Sequence, residues 1–113
     1  MTLGANYNLI NDVVGTNFTL VSGVAVKILE ANTKRIGFSV QLSCGLLPEC
    51  VWIKMEDDAD NSFVGENLSK DFTANDNLSN LRFELFAPNR YTGEVWAITN
   101  TIVGAVIYVN EYS

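Results

Sequence analysis

Histidine is absent from this chain of 113 residues, and with it go the commonest general base and the commonest metal ligand. Serine or cysteine nucleophiles would need another activating base, and no lysine sits in a recognisable motif with either. Glu49, Glu66, Glu84 and Glu94 are carboxylates of the kind a glycosidase uses in pairs, but acidic residues are also the ordinary surface of a soluble protein. The sequence reads as a non-enzyme without a cofactor. Basic residues are scarce as well: seven against thirteen acidic ones, for a net charge of -6. Phosphate contacts need clustered Lys and Arg, and here they are scattered, so nucleic acid is excluded as a partner. No apolar run is long enough to cross a bilayer. The start, from Met1 to Tyr7, lacks the basic residues and apolar run of a secretory signal, which points to synthesis and folding in a cytoplasm.

Cysteine is limited to Cys44 and Cys50, flanking Gly45 to Glu49 near the mouth of a hairpin loop. A bridge is geometrically possible there, and two reduced thiols are the favoured state in a reducing compartment. Two cysteines without histidine make a poor zinc site. Helical periodicity is missing too, and so are internal repeats and low-complexity tracts.

What the chain does contain is alternation. Ile36, Phe38, Val40 and Leu42 alternate with Gly37, Ser39 and Gln41, the period of a half-buried strand. Val24, Val26 and Ile28 form a similar run upstream, and the polar stretch from Glu30 to Lys34 reads as a turn between two neighbouring antiparallel strands. Val51 to Met55 predicts a strand with Val51, Ile53 and Met55 inward and Trp52 and Lys54 on the other face. Leu81 to Leu85, Glu94 to Ile98 and Ala105 to Val109 add three more; the last is apolar on both faces. Residues 63–80 mix turn formers with anchoring apolar residues such as Phe63 and Leu68. The expected fold is all-β: one antiparallel β-sandwich, jelly-roll or Ig-like, of about seven or eight strands. Residues 1–16 read as an N-terminal arm and residues 17–113 as the sandwich, its first strand running from Asn17 to Val21. A hydrophobic fraction of 48% with only 18% charged residues suits a surface partly hidden against another copy or a partner.

Asp58, Asp60 and Ser62 fall at the first, third and fifth places of a calcium loop. Phe63 stands where glycine is needed, however, and Ser69 where the bidentate glutamate should be. The default is a solvated hairpin tip, with no metal. The Asn-x-Ser/Thr triplets at Asn17, Asn67 and Asn77 are chance matches in an asparagine-rich chain. Among the aromatic residues, Trp96 reads as a core filler and Trp52 as the better anchor for an interface. The interface candidates are Trp52, Lys54, Tyr91, Tyr108 and Tyr112.

Asn32-x-x-Arg35-x-Gly37-Phe38-x-Val40-Gln41, the Val51 to Lys54 strand, the stretch from Tyr91 to Ile98 and the ending from Val109 to Tyr112 follow one another in order. Together they resemble a family of small β-sandwich virion structural proteins of tailed bacteriophages, over about Val24 to Tyr112. The resemblance implies a head decoration (cement) protein that binds and stabilises the assembled shell, with the major capsid protein of the same virion as partner. It also implies a homo-oligomer, a trimer in the favoured case, assembled in the host bacterial cytoplasm. Asn32, Arg35 and Gly37 would then be structural turn residues, Arg35 bonding nearby carbonyls and Gly37 allowing close strand packing. The alternative is a receptor- or glycan-binding module of a tail or fibre, using Trp52 and Tyr91. The loop between the cysteines and the segment from Asp57 to Asn80 depart from the family pattern.

Overall fold

The structure is a computed structural model that describes residues 12–42, 51–68, 82–88, 91–102 and 104–113. Eight strands make up its regular structure: β1 (Val13–Leu20), β2 (Val26–Leu29), β3 (Gly37–Leu42), β4 (Val51–Met55), β5 (Glu66–Asn67), β6 (Arg82–Phe86), β7 (Val95–Thr99) and β8 (Ala105–Tyr112). No helix occurs among the described residues. The strands form two four-stranded antiparallel sheets, ordered β1-β8-β3-β6 and β2-β7-β4-β5. The first strand pairs with the last, the second with the seventh, the third with the sixth and the fourth with the fifth. That is one long antiparallel hairpin rolled up on itself, the jelly roll.

The core forms where the alternating residues of the two sheets meet. Phe38, Val40, Ile107 and Val109 enter from one sheet and Val51, Ile53, Val95 and Ala97 from the other, each almost wholly buried. Burying a side chain of this size stabilises the fold by about 1.5–3 kcal/mol relative to leaving it in water. β8 shows the pattern most plainly, with Ala105, Ile107 and Val109 buried and Val106 and Tyr108 exposed between them. β3 lies between β8 and β6 and is buried on both faces for most of its length.

The structure corrects three expectations. The runs around Val26 and Ile36 are not paired: β2 and β3 lie in different sheets, because the turn between them carries the chain across the sandwich. The first strand begins at Val13, four residues before Asn17. Residues 13–16 therefore belong to the sandwich, held by the continuous register of β1 against β8. Asp12 extends the same pairing by exchanging backbone hydrogen bonds with Ser113, and residues 1–11 of the expected arm lie outside the described residues. Trp96 is not a core filler: it points away from Val95 and Ala97, half-buried, with Lys27 Nζ 5.9 Å from its ring centre.

Candidate functional site

Among the described residues two cations are buried, Arg35 at 0% and Lys54 at 2% exposure. Burying a charge is costly unless it is paired and hydrogen-bonded, and both meet that condition. Arg35 Nε donates to Glu111 Oε2 at 2.8 Å, and Nη1 donates to the carbonyls of Tyr91 and Gly93 at 2.9 Å each. Nη2 donates to the carbonyl of Glu30. The fork geometry of a guanidinium thus joins the end of β2, the approach to β7 and the end of β8. Asn32 closes the same corner: its carbonyl accepts from Arg35 N, its Oδ1 from Lys34 N, and its Nδ2 donates to Glu111. Gly37 leaves room for the Phe86 ring, which lies where a Cβ would be.

Lys54 lies on the outer face of its sheet and is covered by the loop after β4. Its Nζ donates to Asp60 O and Oδ1 at 2.7 and 3.0 Å, and to Ser62 O and Oγ at 2.8 and 3.0 Å. A calcium reading of Asp58, Asp60 and Ser62 would have used the Asp60 and Ser62 side-chain oxygens, and an ammonium group already bonds to both. Bonds from Ser62, then from Lys54, hold the Asp60 carboxyl well below the usual carboxylate range. Among the described residues no cluster of three or more acidic or cysteine groups could hold a metal.

The same loop continues across the sheet. Asn61 Oδ1 accepts from Ala25 N at 2.8 Å, and Phe63 stacks on Trp52 with ring centres 5.0 Å apart. Near its start the loop is tied to Glu94: Asp58 N and Trp96 Nε1 both donate to Glu94 Oε1, and Glu94 N donates to Asp57 Oδ1. The bond from Asp58, then that from Trp96, pulls the Glu94 carboxyl below its ordinary value. Gly65 is needed here, since its φ of +140° and the nearby Ile53 carbonyl leave no space for a side chain. Ile98, on the outward side of β7 and in register with Trp52, is fully buried.

The outer face of the other sheet is open at Asn17, Tyr108 and Arg82 and closed at Gly37 and Ser39. In register across it run Asn17, Tyr108, Gln41 and Arg82, with Tyr112, Gly37 and Phe86 in a second row. The Tyr112 and Phe86 rings are 5.0 Å apart. Between the rows lies Ser39, 1% exposed, whose Oγ has no hydrogen-bond partner among the described residues.

Charge is distributed very unevenly. Residues 13–26 and 95–110 contain no Asp, Glu, Lys or Arg, and the fold brings these segments together. β1 pairs with β8, β2 with β7, and the connection from β1 to β2 bridges to Thr99. Nine large hydrophobic side chains are exposed among the described residues, and all but Phe63 and Val64 lie in this charge-free sector. Ile102, at its tip, is 85% exposed.

Of the interface candidates, Tyr108 is exposed in that sector. Tyr112 is half-buried against Phe86 and Tyr91 against the core. Trp52 has one ring face taken by Phe63. Lys54 corrects an expectation, since its ammonium is engaged inside the chain. Cys44 and Cys50 lie outside the described residues. Val13, Val14, Val21 and Ile102 were missed as surface candidates, although the lack of charge around them is visible in the sequence. Comparison with protein-family models, curated proteins and solved structures finds no match.

Proposed function

We propose that this protein is a non-enzymatic structural component of a bacteriophage virion, a decoration protein that adheres to the assembled head. One observation carries the adhesive part of the reading: on an acidic molecule, seven of the nine large exposed apolar side chains among the described residues lie in one charge-free sector. Contiguous exposed apolar surface on a soluble domain marks a contact with another macromolecule. The buried ionic groups support it from the other side, because Arg35 and Lys54 serve to fasten loops. The jelly roll occurs in viral shell and lectin domains, and a fold by itself names no function. The virion role rests on the sequence resemblance and on that analogy.

The major capsid protein is the proposed partner, and many weakly bound copies would hold by avidity. The test adds purified protein to particles that lack it and counts bound copies. Saturable binding at hundreds of copies per particle (order of magnitude for a repeated lattice site) supports decoration. Binding of a handful supports the tail or fibre module, and none sinks both. The arm is tested by deleting residues 2–11, which leaves β1 whole. The glycan-binding alternative has less support, since Trp52 offers only one ring face.

A further inference from the structure

Each sheet of a sandwich ends in edge strands whose unpaired backbone groups can recruit another chain, and stable monomers blunt those edges. Three of the four edges here are blunted. β5 has two residues, β2 carries Lys27 and a register shift beside it, and β6 carries Arg82 and Glu84. β1 has none of these features. It runs eight residues in unbroken register with β8, without charge, proline or bulge, and no strand flanks it among the described residues.

The direction of its free groups follows from one pair. Asp12 and Ser113 exchange both backbone hydrogen bonds, at 2.9 and 3.0 Å. In an antiparallel ladder such pairs alternate. Thr16 and Phe18 therefore bond to β8, while Val13, Gly15, Asn17 and Thr19 turn their N–H and C=O outward. β1 also overhangs the core: Val14 is 51% exposed although its side chain lies on the face where Phe18 and Leu20 pack.

We propose that β1 pairs antiparallel with β1 of a second copy of this chain, across a twofold axis at Asn17, joining two four-stranded sheets into one. This rests on the adhesive reading of the charge-free sector and names one partner for it; it does not depend on the virion role. Self-pairing is favoured by the sequence of the strand. With Asn17 on the axis, Gly15 and Thr19 exchange backbone bonds, Val14 falls beside Leu20, and Val13 falls beside Val21. The asparagine amide is both donor and acceptor, so it can pair with its own copy. Two molecules of net charge -6 repel, and the encounter costs least where both surfaces lack charge. The seam is isologous and closes as a pair, not as the trimer that the resemblance implies.

Two variants test it with the full chain. Asn17→Lys sets two ammonium groups on the axis, and Thr19→Pro removes only an outward-facing donor, which an edge strand tolerates. Light scattering over a concentration series should show a dimer for the native chain. Thr19→Pro should weaken association by about tenfold or more, the effect of losing two hydrogen bonds per pair, and Asn17→Lys should weaken it by charge repulsion, with the unfolding transition of the dilute, monomeric chains unchanged. Hydrogen exchange supplies a signature that a general interface would lack. The amides of Gly15, Asn17 and Thr19 should be slow only in the concentrated protein, and those of Thr16 and Phe18 slow throughout. A native chain that stays monomeric, a dimer indifferent to both variants, or a dimer with fast outward amides overturns the seam. Particle binding by a strictly monomeric chain would remove the seam and leave the adhesion reading. A dimer that ignores the particle would keep the seam and remove the virion role.

Discussion

Arg35 is the residue whose loss should be felt most. Replacing it with Met takes the guanidinium donor from three carbonyls and leaves the Glu111 carboxylate, of its two donors among the described residues, with the Asn32 amide alone. Removing one partner of a buried pair costs about 3–5 kcal/mol, so the urea midpoint of Arg35→Met should fall steeply. Arg35→Lys should recover little, since one ammonium cannot reproduce the fork. Ser39 is the opposite case. Its buried hydroxyl has no partner among the described residues, so Ser39→Ala removes a desolvated group and keeps the packing. Stability should rise by up to about 1 kcal/mol; a loss of that size would mean the hydroxyl is bonded after all.

Among the elements, the loop after β4 is held by charges and is therefore sensitive to acid. Asp60 and Glu94 both have carboxyls held below the ordinary range in the folded chain. Unfolded, they take up protons at the ordinary carboxylate pKa of about 4. Their contribution is complete above that value and is lost as pH falls through the lower, folded values. Both tryptophans report on the loop, Trp52 through Phe63 and Trp96 through Glu94. Their fluorescence should change below about pH 4, ahead of the far-ultraviolet signal of the sheets. Lys54→Met should have a local effect: faster proteolysis between Glu56 and Gly65, with the sheets intact. If the whole molecule unfolds instead, Lys54 holds more than the loop.

For the whole molecule, the uneven placement of charge governs what it does in solution. Putting a carboxylate at the tip, as in Ile102→Glu, should leave folding unchanged because Ile102 is 85% exposed, and such sites tolerate substitution within about 0.5 kcal/mol. Adhesion to a particle should drop while melting temperature holds. The same change at Phe63, outside the sector, should leave adhesion intact. Equal losses at both positions would mean that the apolar surface is not focused where the fold gathers it.

The strands of this chain are written in its alternation. Phe38, Val40 and Leu42, or Ile107 and Val109, face inward because side chains alternate across a pleated strand, a local property that needs no knowledge of the partner strand. The all-β class follows from that alternation alone. Pairing does not, because it joins residues far apart along the chain. Val26 and Phe38, close in sequence, belong to opposite sheets, while Val13 and Tyr112 are neighbours in register. The roles of Lys54 and Trp96 were hidden for the same reason: a side chain's exposure depends on which loop crosses above it. The charge-free segments can be read in the sequence, and it took the first strand pairing with the last to make them one surface.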